Sequence, residues 1–347
     1  MKPLKIFAAH DGGSGCAWYR MTMPLQELAR HPGFEVTFAD AGDSNGPHTV
    51  TARHLEGYDI IVGQRLSKHD GLQVWRGART PFSRLVYETD DDVWTINPEN
   101  WQAYTHFRDE TIRDAITHGA QVADLITVST PHLAQVMTGH TGNANVAVLP
   151  NCVPSWVTDG PRSTRARPAI GWQGGASHGV DVGIIVQPVR RFLKRFPAWD
   201  LRLCGTDYRP TFRLPKARAD FSTWVRVNDD PRGYYATMDF DIGLAPLADN
   251  DFNRSKSMIK CLEYNALGIP VIASDVEPYR DYITDGVNGF LIRYEHDWLK
   301  RMSELATDAG LREKMSASAR EVARAHTIEG SWSSWASAYA GMFPARA

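Results

Sequence analysis

Short apolar runs alternate with helix-forming segments along nearly the whole chain, and that alternation leaves few folds open. In the first half the runs fall at residues 4–9, 34–39, 60–62, 85–87, 125–128 and 146–149, with helix-forming stretches such as 20–30 and 112–123 between them. In the second half they fall at 169–172, 201–204, 225–227, 242–245, 270–273 and 290–292, separated by stretches such as 182–196, 257–267 and 297–306. Near-continuous apolar strands alternating with helices predict parallel sheets covered on both faces. The two series are divided by residues 154–168, which hold Pro-Arg-Ser-Thr-Arg-Ala-Arg-Pro, a polar and basic stretch without periodicity. The expected fold class is therefore α/β, with two Rossmann-like doubly wound domains at 1–155 and 169–328 joined by a linker at 156–168. Open doubly wound sheets bind ligands at the carboxyl ends of their strands, so the expected site is a cleft that the two domains face. At the end of the chain Trp332, Trp335, Tyr339 and Phe343 share one helical face. A helix over 329–347 is expected to pack back on the N-terminal domain.

Composition narrows the class of protein. A chain of 347 residues has room for two domains of about 150 residues each. With 38 Lys+Arg against 40 Asp+Glu it lacks the global basic field of a nucleic-acid-coating protein. Cys16, Cys152, Cys204 and Cys261 form no CxxC pair and are expected to be reduced, mostly buried thiols. No apolar run approaches the roughly 18–20 residues of a membrane span, and the basic start at residues 1–10 lacks the apolar core of a signal peptide. A cytoplasmic protein is the expectation.

The most informative block runs from Asn253 through Arg254, Ser255, Lys256, Ser257, Lys260 and Glu263 to Gly268-Ile-Pro-Val-Ile-Ala-Ser274. A polar loop after the run 242–245 leads into a helix opening near Lys256 and Ser257. Exposed N–H groups at a helix start, with Arg254, Lys256 and Ser257 beside them, suit a phosphate. A basic first turn opposes the helix dipole unless an anion compensates it. Glu263, further along the helix, can accept two hydrogen bonds from a vicinal diol such as ribose.

This block resembles the signature of the group 1 (family 4) GT-B glycosyltransferases, which runs Glu-x7-Glu and then Ala-x-Gly-x-Pro-Val-Ile-Ala-Ser. Glu263 matches the second Glu, which the resemblance assigns to the nucleotide ribose. Ser255 stands at the first, which in the family contacts the donor sugar. The variant Lys-Ser-x-x-Lys-x-x-Glu-Tyr, here Lys256 to Tyr264, also resembles members in which the Lys and the loop amides hold the diphosphate.

Three further strand-end loops join the argument. Gly174-Gly175-Ala-Ser177-His178, a Gly-rich turn into a helix, lets backbone approach a phosphate and resembles the family's first loop of the C-terminal domain. His10-Asp-Gly12-Gly13-Ser-Gly15-Cys-Ala-Trp18-Tyr-Arg20 follows the first strand and resembles the family's Gly-rich loop at the donor–acceptor boundary. A dinucleotide fingerprint competes there, from Gly13-x-Gly15 and Asp40, but Trp18 occupies the third glycine position. Asp90-Asp91-Asp92 are carboxylates at a strand end: they can hydrogen-bond sugar hydroxyls, cap the next helix, or bind a metal as in the GT-A glycosyltransferase fold. Arg190, Arg191, Lys194 and Arg195 spread cations along one helix, as Arg162–Arg167 do along the linker. These are a solvated face, or a contact with an anionic acceptor, DNA or a membrane surface. Tryptophans 18, 94 and 172 sit beside strand-end loops, where rings can stack on sugar or base.

The resemblance implies a retaining glycosyltransferase (EC 2.4) acting on a UDP- or GDP-sugar, without metal or other cofactor. Arg254, Lys256, Ser257 and the Gly174–Gly175 amides would stabilise the leaving diphosphate. Asp90, Asp91, Asp92, His10 and Arg20 would position the acceptor, a glycan, lipid-linked sugar, metabolite or modified DNA base. A non-catalytic nucleotide-sugar binder, an epimerase on the same scaffold and an NAD-dependent oxidoreductase remain open alternatives. A Ser–His–Asp hydrolase is not supported, since no Gly-x-Ser-x-Gly elbow is present.

Overall fold

Two all-parallel six-stranded sheets organise the residues described by the computed structural model, which are 2–10, 14–39 and 50–344. The first sheet contains β1 (Leu4–Ala9), β2 (Phe34–Phe38), β3 (Ile60–Gln64), β4 (Arg84–Glu88), β5 (Leu125–Val128) and β6 (Val146–Val148), in the order β2-β1-β3-β4-β5-β6. The second contains β7 (Ala169–Gly174), β8 (Asp200–Gly205), β9 (Ala219–Thr223), β10 (Ile242–Ala245), β11 (Val271–Ser274) and β12 (Gly289–Ile292), in the order β12-β11-β10-β7-β8-β9. Counted within its own unit, the second sheet has the order 3-2-1-4-5-6 of dinucleotide-binding folds, with its switch point between β7 and β10. All residues of β3, β5, β7, β10 and β11 are buried, as expected of strands covered by helices on both faces.

The chain divides into two units. One holds the residues up to Ile96, Ala103–Asn151 and everything from Ile328; the other holds Asn97–Gln102 and Cys152–Thr327. In the first unit the terminal helix Ile328–Ala340 packs along Met23–Leu28. It buries Trp335 and Tyr339, and Trp332 stacks on His31 with centroids 3.5 Å apart. In the second unit the core gathers Trp172, Phe192 and Trp298 around β7 and its neighbours.

Two expectations are corrected. The strand expected at 225–227 lies at Ala219–Thr223 instead, where it pairs with β8. Its mixed composition, Ala-Asp-Phe-Ser-Thr, suits an edge and hides it from an apolar-run criterion, while Val227 is buried without belonging to a strand. The stretch expected to be a polar linker is fastened to the second unit. Ser155–Asp159 is helical, and Trp156 packs edge-on against Tyr235. Arg162 pairs with Asp241, Arg165 with Asp220 and Asp239, and Arg167 with Asp200. These arginines are neutralised within the unit and are not a cationic docking face. Arg190, Arg191, Lys194 and Arg195 differ: all four are exposed on the helix Gly179–Arg195, and none has an ion pair among the described residues.

Candidate functional site

At the carboxyl ends of β7 and β10 the two strongest blocks of the second unit come together. Lys260, on the helix Ile259–Ala266, donates from Nζ to the Gln173 carbonyl and lies 5.0 Å from the centroid of the Trp172 ring. A Cβ at position 174 would sit 2.5 Å from that ring and 3.1 Å from Lys260 Nζ, so the turn closes only with glycine. At position 175 a Cβ would meet nothing within 4 Å, leaving this side of the turn open. Gln173 Nε2 donates to the Tyr234 hydroxyl at 2.7 Å, and that hydroxyl donates to Glu263 Oε1 at 2.7 Å. The Gln173 N–H donates to the Tyr264 hydroxyl at 2.9 Å. Gln173 thus ties the Gly-rich turn to Lys260, Glu263 and Tyr264. Burial pushes Lys260 down to about 8, against the opposing pull of Glu263 and Asp181.

A second buried carboxylate locks the loops. Asp181, in the first turn of Gly179–Arg195, accepts from the Ala248 N–H at 2.9 Å, from Asn253 Nδ2 at 3.1 Å and from His178 Nδ1 at 2.7 Å. It binds the loop after β7 to the loop after β10. Burial pushes His178 down to about 4, with Lys260 and Lys256 adding to the effect against Asp181. The imidazole is therefore neutral at pH 7, with its Nδ1 proton directed at Asp181, and its Nε2 is an acceptor. Ser177 is exposed in the short turn Ala176–His178.

The helix at Ile259 begins without a side-chain cap at Met258, and Ser257 Oγ accepts a long bond, 3.4 Å, from the Ile259 N–H. Lys256 Nζ lies 4.3 Å from the centroid of the Phe252 ring. Two expected members of this group are placed elsewhere. Arg254 is held by Asp249 at 2.8 Å and Asp251 at 3.0 Å, so its charge is already met by two carboxylates of its own loop. Ser255 is fully buried, which takes its hydroxyl away from any donor sugar.

In the first unit the strand-end residues are divided between support and site. Arg20 is fully buried in the π-helical turn Trp18–Thr22. It grips Glu88 through Nε (2.7 Å) and Nη2 (3.1 Å) and donates from Nη1 to the Leu149 carbonyl and to Asn151 Oδ1. With its donors so engaged it cannot position an acceptor. Asp92 accepts from the Trp94 N–H and the Thr95 hydroxyl, the bonds of a turn-former and not of a catalytic carboxylate. Asp90 and Asp91 do come together, with Cys16 close by. Arg65 approaches both, at 3.7 and 3.2 Å, from a backbone with φ of 46°. A guanidinium thus already occupies the cationic place beside these carboxylates. Burial raises the Asp90 carboxyl, with Arg65 opposing and Asp91 adding to the rise. His10 Nε2 lies 3.4 Å from the Thr22 hydroxyl. Gly15 opens a helix where a Cβ would meet nothing within 4 Å among the described residues. Gly12 and Gly13, like Asp40, lie outside the described residues. The rings of Trp18 and Trp172 are buried, contrary to a stacking role, and half-buried Trp94 stacks on His140.

Asp181, Tyr234 and Arg65 were not singled out from the sequence. The His-x-x-Asp spacing after the Gly-rich turn was a usable sign of Asp181. Arg65 stands directly after a strand end, whereas Tyr234 lies in no recognisable motif.

A family model, described as glycosyl transferases group 1, matches residues 259–322. No curated protein matches the sequence. Among solved structures, sucrose-phosphate synthase from Thermosynechococcus elongatus is similar over 100% of this chain and 100% of its own, at 15% identity and a TM-score of 0.69. Anabaena HepE in complex with UDP and glucose shares 16% identity over 97% of this chain and 100% of its own, TM-score 0.65. A mutant of S. aureus TarM in complex with fondaparinux, alpha-GlcNAc-glycerol and UDP shares 14% identity over 81% of this chain, TM-score 0.58. The chain spans about half the length of the TarM structures, 55% and 54%. The fold shared with these structures is GT-B. The match to the group 1 model is confined to the segment 259–322 of the second unit.

Proposed function

We propose that the chain is a retaining glycosyltransferase that moves a sugar from a UDP- or GDP-linked donor to a hydroxyl of an acceptor. The observation that carries this reading is the tie from the Gly174–Gly175 turn through Gln173 to Lys260 and Glu263, within the signature of group 1. UDP in the TarM and HepE complexes supports a nucleotide donor. On this reading residues 169–328 hold the nucleotide, with 156–168 fastened to the same unit, residues 1–155 form the acceptor side, and 329–347 return to the N-terminal domain. The protein works in the cytoplasm.

In the transfer, the bond from the sugar's anomeric carbon to the diphosphate oxygen breaks. The acceptor oxygen bonds to that carbon on the same face, and its proton passes to a diphosphate oxygen. No protein nucleophile is then required. The chain supplies charge for the leaving diphosphate and fixed positions for both substrates. Lys256, Lys260, Ser257 and the amides of Gly174 and Gly175 serve the first need, with Ser177 beside them and Glu263 on the ribose. His178, neutral and braced by Asp181, accepts a hydrogen bond from a donor hydroxyl. Asp90 and Asp91, with Arg65 beside both offsetting part of their charge, and His10 are the acceptor-side groups. The exposed cations Arg190, Arg191, Lys194 and Arg195 would bring an anionic partner, DNA or a membrane surface, to the nucleotide domain.

Two linked measurements test the reading. Incubation with UDP- and GDP-sugars and a panel of acceptor alcohols should give a product whose anomeric configuration, read by NMR early in turnover, matches the donor's. An inverted product contradicts the retaining step. Lys256→Ala should lower turnover by about 10²-fold or more, the usual cost of removing one electrostatic stabiliser, with the melting temperature unchanged. Unaltered turnover removes Lys256 from the site.

A further inference from the structure

Trp224 stands directly after β9, on the same strand-end edge of the second unit as Gly174, and is 41% exposed. Single exposed apolar residues are ordinary on a protein surface. Trp224 differs in being braced from two directions. A Cβ at position 205, where φ is +99°, would lie 2.6 Å from the Trp224 ring and 2.4 Å from the Gly174 carbonyl. The glycine lets the ring lie against the turn that follows β8. From the other direction the buried Tyr234 ring meets it edge-on, with centroids 6.0 Å apart and planes at 69°. Tyr234 is also the residue whose hydroxyl donates to Glu263. An aromatic surface held by backbone and by a buried ring therefore stands one residue away from the carboxylate assigned to ribose.

We infer that Trp224 is the platform on which the donor's nucleobase stacks, an inference that rests on the nucleotide reading of Lys260 and Glu263. Ribose links base to diphosphate, so a nucleotide with its phosphates at the Gly174 turn and its ribose at Glu263 carries its base past Tyr234. Stacking draws on the ring face that every base has. Trp224 therefore separates nucleoside diphosphates from phosphates without a base, and does not by itself choose among bases.

Calorimetric titration of the full chain, Trp224→Ala and Trp224→Phe with UDP, GDP, ADP and inorganic pyrophosphate tests this. The best-bound nucleotide should lose about tenfold or more in affinity in the alanine variant, the scale of one base–aromatic stack. The phenylalanine variant should keep most of its affinity, and pyrophosphate should bind all three proteins alike. Unchanged nucleotide affinity in Trp224→Ala overturns the platform and leaves the nucleotide reading standing. Parallel loss of pyrophosphate and nucleotide in that variant also overturns it, because a stacking platform touches only the base. Failure of every nucleotide to bind the unaltered chain overturns the nucleotide reading and the platform together.

Discussion

Burial shifts Lys260 and His178 of the second unit toward their neutral forms, and each gives a signed prediction. Lys260 is held near 8 by burial, and a bound diphosphate favours its charged form. Nucleotide affinity should be full below pH 8 and decline as pH rises above it, whereas Lys260→Met should bind more weakly with a flatter profile. Calorimetry at pH 7 and 9 reads this; parallel profiles would take Lys260 off the diphosphate. His178 is depressed from 6.5 to about 4. Between those values the unfolded chain binds the proton and the folded chain does not, so stability falls as pH drops from about 6.5 to about 4 and the penalty is constant below. The contribution is at most about 3 kcal/mol. Urea midpoints at pH 4.5 and 7 should differ less in His178→Gln than in the unaltered protein; equal differences would contradict the burial argument. That Lys260, Glu263 and the Gly174 turn lie together follows from the signature spacing, which puts the helix start and the Gly-rich turn at neighbouring strand ends. The surroundings of Arg254 and Ser255 were not legible, because residue type and spacing do not reveal a loop that pairs its own arginine or a serine turned into the interior.

Among the elements, the terminal helix and the turn Trp18–Thr22 meet around one buried ion pair. Arg20 grips Glu88 in two places and lies 5.1 Å from the centroid of the Trp335 ring. Burial pushes Glu88 up to about 7 against the pull of Arg20 and Thr127. Removing one partner of a buried pair leaves an uncompensated charge and costs about 3–5 kcal/mol. Arg20→Ala should therefore lower the melting temperature sharply, and Arg20→Met with Glu88→Leu should recover much of the loss. A catalytically dead Arg20→Ala of unchanged stability would restore an acceptor-side role to Arg20. The helical spacing of Trp332, Trp335 and Tyr339 made this helix legible, since period and apolar content agreed. The edge strand β9 was not, because an edge needs few apolar residues. The stretch at 154–168 looked unstructured because its contacts are salt bridges with Asp200, Asp220, Asp239 and Asp241, which leave no periodic signal.

For the molecule as a whole, the alternation of runs and helices was enough to anticipate two doubly wound sheets, because parallel strands covered on both faces must be apolar throughout. Charge balance is uninformative about the proposed site, since a sugar nucleotide would need only a few local cations, the role proposed for Lys256 and Lys260. Position beside strand-end loops drew attention to tryptophans 18, 94 and 172, yet Trp172 fills the core, while Trp224 stands exposed at a strand end. Whether residues 169–328 hold a nucleoside diphosphate sugar is read from the melting temperature of the full chain against UDP-, GDP- and ADP-sugars and NADH. A ligand at about 100 times its Kd adds about 2.7 kcal/mol to the native state. At least one sugar nucleotide should therefore raise the melting temperature by several degrees, and NADH should not. A shift with NADH alone, or with none of the sugar nucleotides, would rule out a sugar-nucleotide site in residues 169–328.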